Sequence, residues 1–237
     1  MKLIIVGAGG RMGSLVKELA TEKGHEVVAA VDIKSGYLND LDDNNKAADA
    51  IVDFSSPEAT EKVLEYAVKR KLPLVMAVTG HSLSERRKIL SASKKVPIFY
   101  SPTLSMGVAA SIIAAKNILK VFPAADVEIC ERHHSFKADS PSGTALFMAE
   151  RLGYKPVYGR KKRRSSNEAG IASLRYGNVC GTHEIIIADG DEIITIKHEA
   201  LSRKAFALGA LEAARSIVHE RSGVYDVFSL LNADRIF

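Results

Sequence analysis

The chain has 237 residues, of which 46% are hydrophobic and 26% charged, with a net charge of +5 at pH 7. This length suits one large domain or two small ones. No apolar run approaches the roughly 18 residues of a membrane span, so we expect no membrane partner. Two cysteines are too few for a disulfide framework, and no signal peptide precedes the first predicted strand. We therefore expect a cytoplasmic location.

The densest basic run occupies residues 160–164. No aromatic residues are interleaved for base stacking, and no nucleic-acid-binding motif surrounds the run. We therefore interpret it as a solvated loop and expect no nucleic-acid partner. A site for anions or for a protein partner is the alternative.

The first hundred residues alternate between short apolar stretches and stretches with helical spacing. Such alternation predicts a parallel sheet covered by helices on both faces. The predicted strands are residues 2–6, 26–31, 50–54, 72–78 and 96–100. A helix at 12–22 follows the first strand, Ser56 and Pro57 begin another, and Ser82 with Glu85 forms a capping box for a third.

The pattern changes after Pro102. A helix is predicted at 107–122, a strand at 126–131 and a helix at 144–152. Two later strands, 183–188 and 192–198, are joined by an Asp-Gly turn and form a hairpin. A long helix follows at 202–220. We therefore predict an α/β protein with a Rossmann-type doubly wound parallel sheet and a second, smaller α+β domain.

A glycine-rich turn connects the first strand to the first helix. In such folds the pyrophosphate of a dinucleotide binds here, because glycine lets the backbone approach and the helix N-terminus favours an anion. Gly13 comes one residue later than the third glycine of G-x-G-x-x-G, and a plain tight turn is the alternative. We predict that the cofactor binds to Gly7, Ala8, Gly9, Gly10, Arg11 and Met12.

Asp32 ends the second strand, at the position that selects the cofactor in this architecture. A carboxylate there accepts hydrogen bonds from the adenosine ribose hydroxyls and repels a 2′-phosphate. We therefore predict NADH as the preferred cofactor. NADPH remains possible, since Lys34 and Arg11 are cations that can hold the phosphate. The alternative is an exposed acid at a strand end.

Two further loops follow predicted strands of the sheet. Loops at the carboxyl ends of parallel strands line the ligand crevice in this architecture, so both are candidates to contact the nicotinamide. Taken alone, each is an ordinary turn. The predicted cofactor contacts are Ala77, Val78, Thr79, Ser101, Pro102, Thr103 and Leu104.

The segment 131–145 combines two adjacent histidines, a lysine and a Ser-Gly-Thr turn where a helix begins. Histidine transfers protons near neutral pH, Lys137 can pair with a carboxylate, and the turn offers N–H donors to an anion. Neighbouring residues of a strand point to different sides, so one histidine can face the chemistry while the other binds or packs. This combination predicts a site that binds a small di-anion and protonates it.

Metal binding is an alternative use of the two histidines. The H-E-x-x-H pattern is absent, and no pair of cysteines has zinc spacing. We therefore expect no metal.

The histidine segment, Glu131-x-His-His-x-x-Lys-x-Asp-x-Pro-Ser-Gly-Thr-Ala145, closely resembles a motif of the 4-hydroxy-tetrahydrodipicolinate reductase family, formerly called dihydrodipicolinate reductase. The glycine turn, late glycine included, also resembles that of the family. So do four further segments in the same order, at residues 53–55, 105–108, 173–175 and 198–203. The chain departs from the family pattern in the loops at 77–78 and 103–104.

The resemblance implies an NAD(P)H-dependent reductase of the diaminopimelate route to lysine. It acts on 4-hydroxy-tetrahydrodipicolinate, a small dicarboxylate, through dihydrodipicolinate and forms tetrahydrodipicolinate. By resemblance, His133 and Lys137 are the catalytic residues that transfer protons. The residues that bind the carboxylates of the substrate are then His134, Lys137, Ser142, Gly143 and Thr144.

The resemblance also implies a domain organisation. Residues 1–104 form the dinucleotide-binding domain, 105–208 form the domain for substrate binding and oligomerisation, and the tail 209–237 packs back on the first domain. The protein is then a homo-oligomer, a tetramer, built on the sheet of the second domain. We expect its interface at the hairpin 183–198.

Two other functions are compatible with parts of the sequence. Another two-domain dehydrogenase, acting on aspartate or a different amino acid, would share the glycine turn but does not account for the histidine segment. A nucleotide-binding regulator without catalysis is supported by the departures at 77–78 and 103–104. It would have no need for proton-transfer and anion-binding residues together.

Overall fold

A computed structural model describes residues 1–231 of the chain, which divide into two compact units. The first unit comprises Met1–Leu104 and the segment that begins at Lys204, and the second is Ser105–Arg203. The second unit thus ends five residues before the expected position 208, because Lys204 already begins a helix of the first unit. Of the predicted tail, residues 232–237 lie outside the described part.

Both units contain helices and strands. The strands are β1 Lys2–Val6, β2 Glu26–Val31, β3 Ala50–Asp53, β4 Leu74–Met76, β5 Pro97–Tyr100, β6 Asp126–His133, β7 Lys155–Val157, β8 Glu168–Arg175, β9 Thr182–Asp189, β10 Glu192–Glu199 and β11 Gly223–Tyr225. The helices are α1 Arg11–Glu22, α2 Thr60–Arg70, α3 Leu83–Ala92, α4 Met106–Val121, α5 Gly143–Leu152 and α6 Lys204–Ile217.

The first unit is built on a six-stranded sheet in the order β11-β5-β4-β3-β1-β2, and all its strands are parallel. Ile4, Ile51 and Leu74 cluster on one face with Leu64 of α2 and Ile89 of α3. On the other face α6 packs against α1 and against β3, β4 and β5. The predicted doubly wound fold is therefore confirmed.

The second unit contains a five-stranded mixed sheet in the order β10-β9-β6-β8-β7. Strand β9 is antiparallel to β6 and β10, whereas β8 is parallel to β6 and β7. Helix α4 packs against β9 and β10, and α5 packs against β6 and β7. This unit is the predicted α+β domain.

Strands β7, β8 and β11 were not predicted from the sequence. β7 and β11 have three residues each, and β8 begins with Glu-Ala-Gly, which has little β propensity. These segments form strands because a neighbouring strand supplies hydrogen-bond partners, which is a tertiary effect. Strand β6 likewise extends two residues past its predicted end and includes His133.

The sequence predicted a solvated loop for the basic run 160–164. In the structure, part of this run forms ion pairs instead. Arg160 donates to Glu128 at 2.9 Å and to Glu168 at 3.0 Å, and Arg164 donates to Glu128 at 2.6 Å. These pairs attach the run to β6 and β8. Exposed residues 161–163 keep the predicted solvated character.

Within residues 1–231 no helix has both the length and the apolar character that crossing a membrane would require.

Candidate active site

The glycine turn of the first unit lies against the end of β3. Gly7 has φ of +72°, and a Cβ built there would come within 2.6 Å of the carbonyl carbon and oxygen of Phe54. A Cβ on Gly13 would overlap the carbonyl oxygen of Gly7. Only glycine fits at either position. The third glycine is therefore at position 13, because there α1 passes close to the carbonyl of Gly7 in the turn.

The N-terminus of α1 is open to an anion. Gly10 is the N-cap residue and provides no side-chain cap, so a ligand can accept from the first-turn N–H groups of Arg11 and Met12. The turn therefore has the cradle that a pyrophosphate needs. Its backbone is further fixed by hydrogen bonds from Gly7 and Ala8 to the carbonyl of Val31, at 2.9 and 3.1 Å.

Asp32 lies beside this turn. Its carboxylate accepts from the backbone N–H of Gly9 at 2.8 Å and from that of Lys34 at 3.0 Å. The Lys34 ammonium donates to the carbonyl of Gly9 at 2.6 Å. Sequence and structure thus place a carboxylate and a cation next to the same glycine.

The two predicted nicotinamide loops follow β4 and β5, which are neighbours in the sheet. Because these strands are parallel to β1, their carboxyl ends and the glycine turn share one edge of the sheet. Val78 is buried in the first loop, while Pro102 is exposed in the second. The structure therefore brings the predicted cofactor residues of the first unit to one edge.

Asp53 ends β3 at the same edge and was not predicted as a site residue. It is fully buried. One carboxylate oxygen accepts from the N–H and hydroxyl of Ser55, at 2.9 and 2.5 Å, and the other has no hydrogen-bond partner among the described residues. Burial raises the pKa of Asp53 to about 6, against the opposing effect of the Ser55 hydrogen bonds.

The second unit gathers its polar residues on one face of its sheet. Alternation along β6 puts Glu131 and His133 on the same buried face. Across the antiparallel pair, His183 of β9 lies opposite Glu131. Across the parallel pair, Arg175 of β8 lies opposite His133. Four residues from three strands therefore meet at the end of β6.

Glu131 is the centre of this group and is fully buried. Arg175 binds it with both terminal nitrogens, at 2.7 and 2.8 Å, and His133 bonds to it through Nδ1. The backbone N–H of Ser142 also donates to it, at 3.2 Å. Burial raises the pKa of Glu131, but the hydrogen bonds from His133 and Arg175 outweigh it and hold that pKa far below its ordinary value.

His183 connects the sheet to the anion-binding turn. Its Nε2 lies 3.1 Å from the Ser142 hydroxyl, which caps α5 by accepting from the N–H of Ala145 at 3.2 Å. Burial, followed by the charge of His133, lowers the pKa of His183 to about 3, so this ring stays neutral. The rings of His133 and His183 meet edge to face, with centroids 5.2 Å apart.

The remaining predicted substrate residues flank the group. Gly143 and Thr144 form the first turn of α5, where N–H groups lack intrahelical acceptors, and a Cβ on Gly143 would meet open space. Lys137 pairs with Asp139 at 2.7 Å. The backbone N–H of Lys137 donates to the carbonyl of His134 at 3.1 Å, closing a turn directly after β6.

Metal binding at this face is an alternative, because ligand atoms of Glu131, His133 and His183 lie within 4.8 Å of one another. The oxygens of Glu131, however, already accept from Arg175, Ser142 and His133. A guanidinium bound to the same carboxylate also repels a metal cation. The donor set therefore suits proton transfer better than metal binding.

Local sequence alone gives no role to Glu131, Arg175 and His183. The first two occur in segments that resemble the family, so a signal existed for them. In the sequence, His183 is only the first residue of a predicted strand and of the hairpin expected at the interface. Its place in the group follows from the pairing of β9 with β6, which the sequence does not reveal.

Two family models match the chain. The model described as "Dihydrodipicolinate reductase, N-terminus" matches residues 1–104, and "Dihydrodipicolinate reductase, C-terminus" matches residues 107–231. The chain is 40% identical over 246 residues to a 4-hydroxy-tetrahydrodipicolinate reductase of Caldanaerobacter subterraneus subsp. tengcongensis, with 98% of each chain covered. It is 39% identical over 226 residues to the reductase of the same name from Rickettsia rickettsii, with 93% of this chain and 95% of that one covered.

Solved structures share the fold. The dipicolinate-bound dihydrodipicolinate reductase from Paenisporosarcina sp. TG-14 has a TM-score of 0.74 at 20% identity, covering 97% of this chain and 98% of that chain. A myo-inositol 2-dehydrogenase from Lactobacillus plantarum has a TM-score of 0.65 at 14% identity, covering 100% of this chain and 94% of that chain.

Proposed function

Because this chain belongs to the dihydrodipicolinate reductase family, we propose that it reduces 4-hydroxy-tetrahydrodipicolinate to tetrahydrodipicolinate with NAD(P)H, in the diaminopimelate route to lysine. The observation that carries the proposal is the match of both halves of the chain to this family. The geometry of the histidine segment supports it, since proton-transfer and anion-binding groups lie together at the end of β6.

The first unit supplies the cofactor site. The glycine turn and the uncapped N-terminus of α1 hold the pyrophosphate, and the loops after β4 and β5 contact the nicotinamide. A bound nicotinamide cofactor supplies the hydride. Asp32 makes NADH the preferred form, because its carboxylate binds ribose hydroxyls and repels a 2′-phosphate. NADPH is the weaker alternative.

The second unit binds and protonates the substrate. The N–H groups of Gly143 and Thr144 hold one carboxylate at the N-terminus of α5, while His134 and Lys137 hold the same or the other carboxylate. Water leaves the substrate to give dihydrodipicolinate, a hydride adds at C4 of the conjugated system, and a proton returns to the ring. His133 transfers this proton, with Lys137 as the second donor.

The protein works as a homotetramer in the cytoplasm. The resemblance to the family supports this assembly, and so does the sheet of the second unit. Helices α4 and α5 pack against that sheet, and β10 lies at its edge. Ile193 of β10 is 71% exposed, and Leu174 of β8 is also exposed. A second copy of the chain would cover these side chains.

A coupled assay with freshly made 4-hydroxy-tetrahydrodipicolinate tests the activity. We expect turnover with NADH. His133→Gln should lower kcat by about 10²–10⁴-fold, the usual contribution of general acid–base catalysis, and leave KM for the substrate close to wild type. Lys137→Ala should impair both constants, since it removes a binding charge as well as a proton donor.

The exposed His219 provides the matched control, and His219→Gln should behave as wild type. An unchanged kcat in His133→Gln would remove this residue from the mechanism. Tight cofactor binding without turnover would instead favour a regulator, and oxidation of aspartate would favour an amino-acid dehydrogenase.

A further inference from the structure

We propose that Glu131, held by Arg175, is a positioning residue that fixes both the reactive ring of His133 and the anion-binding turn of α5. This inference rests on the proposed proton-transfer role of His133. It goes beyond that role by assigning a task to two residues that do not contact the substrate in the proposed mechanism.

The carboxylate of Glu131 determines which nitrogen of His133 carries the proton. An ionised carboxylate only accepts hydrogen bonds, so the Nδ1 that contacts it must be the N–H donor. Nε2 is then the nitrogen left for chemistry. A Cβ built at Gly181 would come within 3.1 Å of Nε2, so the glycine there leaves space beside that nitrogen.

Arg175 keeps Glu131 ionised and oriented. A buried carboxylate is stable only when its charge is paired and its oxygens are hydrogen-bonded. The two-nitrogen contact of Arg175, at 2.7 and 2.8 Å, provides both conditions and sets the plane of the carboxylate. Arg175 also donates to the carbonyl of Asp139 at 2.6 Å, which attaches the loop that carries Lys137.

The same carboxylate reaches the anion-binding turn. Glu131 accepts from the backbone N–H of Ser142, the N-cap residue of α5, at 3.2 Å. The first-turn N–H groups of α5 and the ring of His133 are therefore oriented by one buried group. A substrate held by its carboxylate would meet Nε2 of His133 at a defined position, and this nitrogen passes on a proton only after it has taken one up.

Glu131→Gln in the full-length protein tests the proposal, because glutamine keeps the shape of the side chain and removes its charge. We expect kcat to fall at least on the order of 10–100-fold, the cost of losing a carboxylate that orients a metal-bound histidine. The second readout is the ¹⁵N NMR spectrum of the ligand-free protein. It should show His133 protonated at Nδ1 in wild type and redistributed between Nδ1 and Nε2 in the variant.

Glu212→Gln is the matched control. Glu212 accepts from Nε of Arg215 at 3.1 Å on α6, which belongs to the first unit. Removing this pair should leave kcat and the His133 spectrum unchanged. If Glu131→Gln does not fold, Arg175→Lys replaces it: the charge remains but the two-nitrogen contact is lost, and we expect a smaller decrease in kcat with Nδ1 still protonated.

The results of these experiments distinguish a failure of this inference from a failure of the proposed function. An active wild type whose Glu131→Gln variant keeps full kcat, or keeps the wild-type His133 spectrum, would overturn the positioning role. A wild type that does not reduce the substrate would overturn the proposed function, whatever the spectrum of His133 shows.

Discussion

Two buried carboxylates in this chain show how strongly the pKa of a carboxyl depends on its hydrogen-bond and ion-pair partners. Glu131 is bound by a guanidinium, an imidazole and a backbone N–H, and its pKa is held far below the ordinary value despite burial. Within residues 1–231, Asp53 has only Ser55 as a hydrogen-bond partner, and burial raises its pKa to about 6. Burial raises the pKa of both carboxyls, but among the described residues only Glu131 is paired with a cation, which reverses the net shift.

Ionisation of the buried Asp53 should therefore lower the free energy of unfolding as pH rises. Below about pH 4 both folded and unfolded chains hold its proton. Between pH 3.8 and about 6 the unfolded chain releases the proton while the folded chain retains it, so the free energy of unfolding falls. Asp53→Asn keeps an acceptor for Ser55 and should exceed wild type by about 1–3 kcal/mol at pH 7–8, with little difference at pH 4.

Chemical denaturation at pH 4, 6 and 8 measures this difference. Asp191→Asn, at an exposed turn position, controls for the change in net charge. A variant that loses stability at pH 8 would show that the ionised carboxylate has a partner. His183, which is neutral in the folded chain, has the opposite effect. It lowers the free energy of unfolding as pH falls, because the unfolded chain binds a proton on this histidine below about pH 6.5. Only the difference between variant and wild type therefore isolates Asp53.

At the scale of the elements, the turn between β1 and α1 was predicted well because its conformation depends on local sequence. Glycine at position 13 is required by a contact with Gly7 inside one strand–turn–helix unit, whereas Gly7 is also required by its contact with Phe54 after β3. The capping box of Ser82 and Glu85 is confirmed for the same reason. Strands β7, β8 and β11 are not evident in the sequence, since β7 and β11 have three residues each and β8 begins with residues of little β propensity.

Asp32, directly after β2, is the residue on which the predicted preference for NADH rests. Wild type should have the higher kcat/KM with NADH, because the Asp32 carboxylate lies beside Gly9 at the glycine turn. Asp32→Ser should lower kcat/KM with NADH and raise it with NADPH, each by roughly tenfold, equivalent to about 1.4 kcal/mol. Steady-state kinetics with both cofactors measure the ratio.

Asp43→Ser removes an exposed acid of the same unit and should leave the ratio unchanged. Equal or better efficiency of wild type with NADPH would contradict the assignment. Lys34 and Arg11 would then be the residues to examine for binding of the 2′-phosphate.

At the scale of the whole molecule, the chain leaves the first unit at Leu104 and returns to it at Lys204. Helix α6 is needed there because it packs against α1 and against three strands of the first sheet. Gly209 lets α6 approach the loop after β5, since a Cβ at that position would overlap the carbonyl oxygen of Leu104. The first unit therefore needs the C-terminal part of the chain for its core.

The proposed tetramer makes a prediction about the sheet of the second unit. Size-exclusion chromatography with light scattering should give the mass of four chains for wild type. Ile193→Lys should weaken the assembly at least tenfold, roughly 1.4 kcal/mol or more, because it would place an ammonium in an apolar contact. Leu83→Lys changes an apolar side chain that is 75% exposed in the first unit, and should not affect the assembly. A monomeric wild type would contradict the proposal.

The sequence by itself determined the alternation of strands and helices, the glycine turn, the family resemblance and the segment that carries His133, Lys137 and Ser142. Each of these is read from short stretches of neighbouring residues, and the resemblance adds only that several such stretches occur in the family's order. The tertiary structure decided which distant residues surround His133. Glu131 meets Arg175 and His183 only because β8 and β9 pair with β6 in one register, and that pairing joins segments more than 40 residues apart.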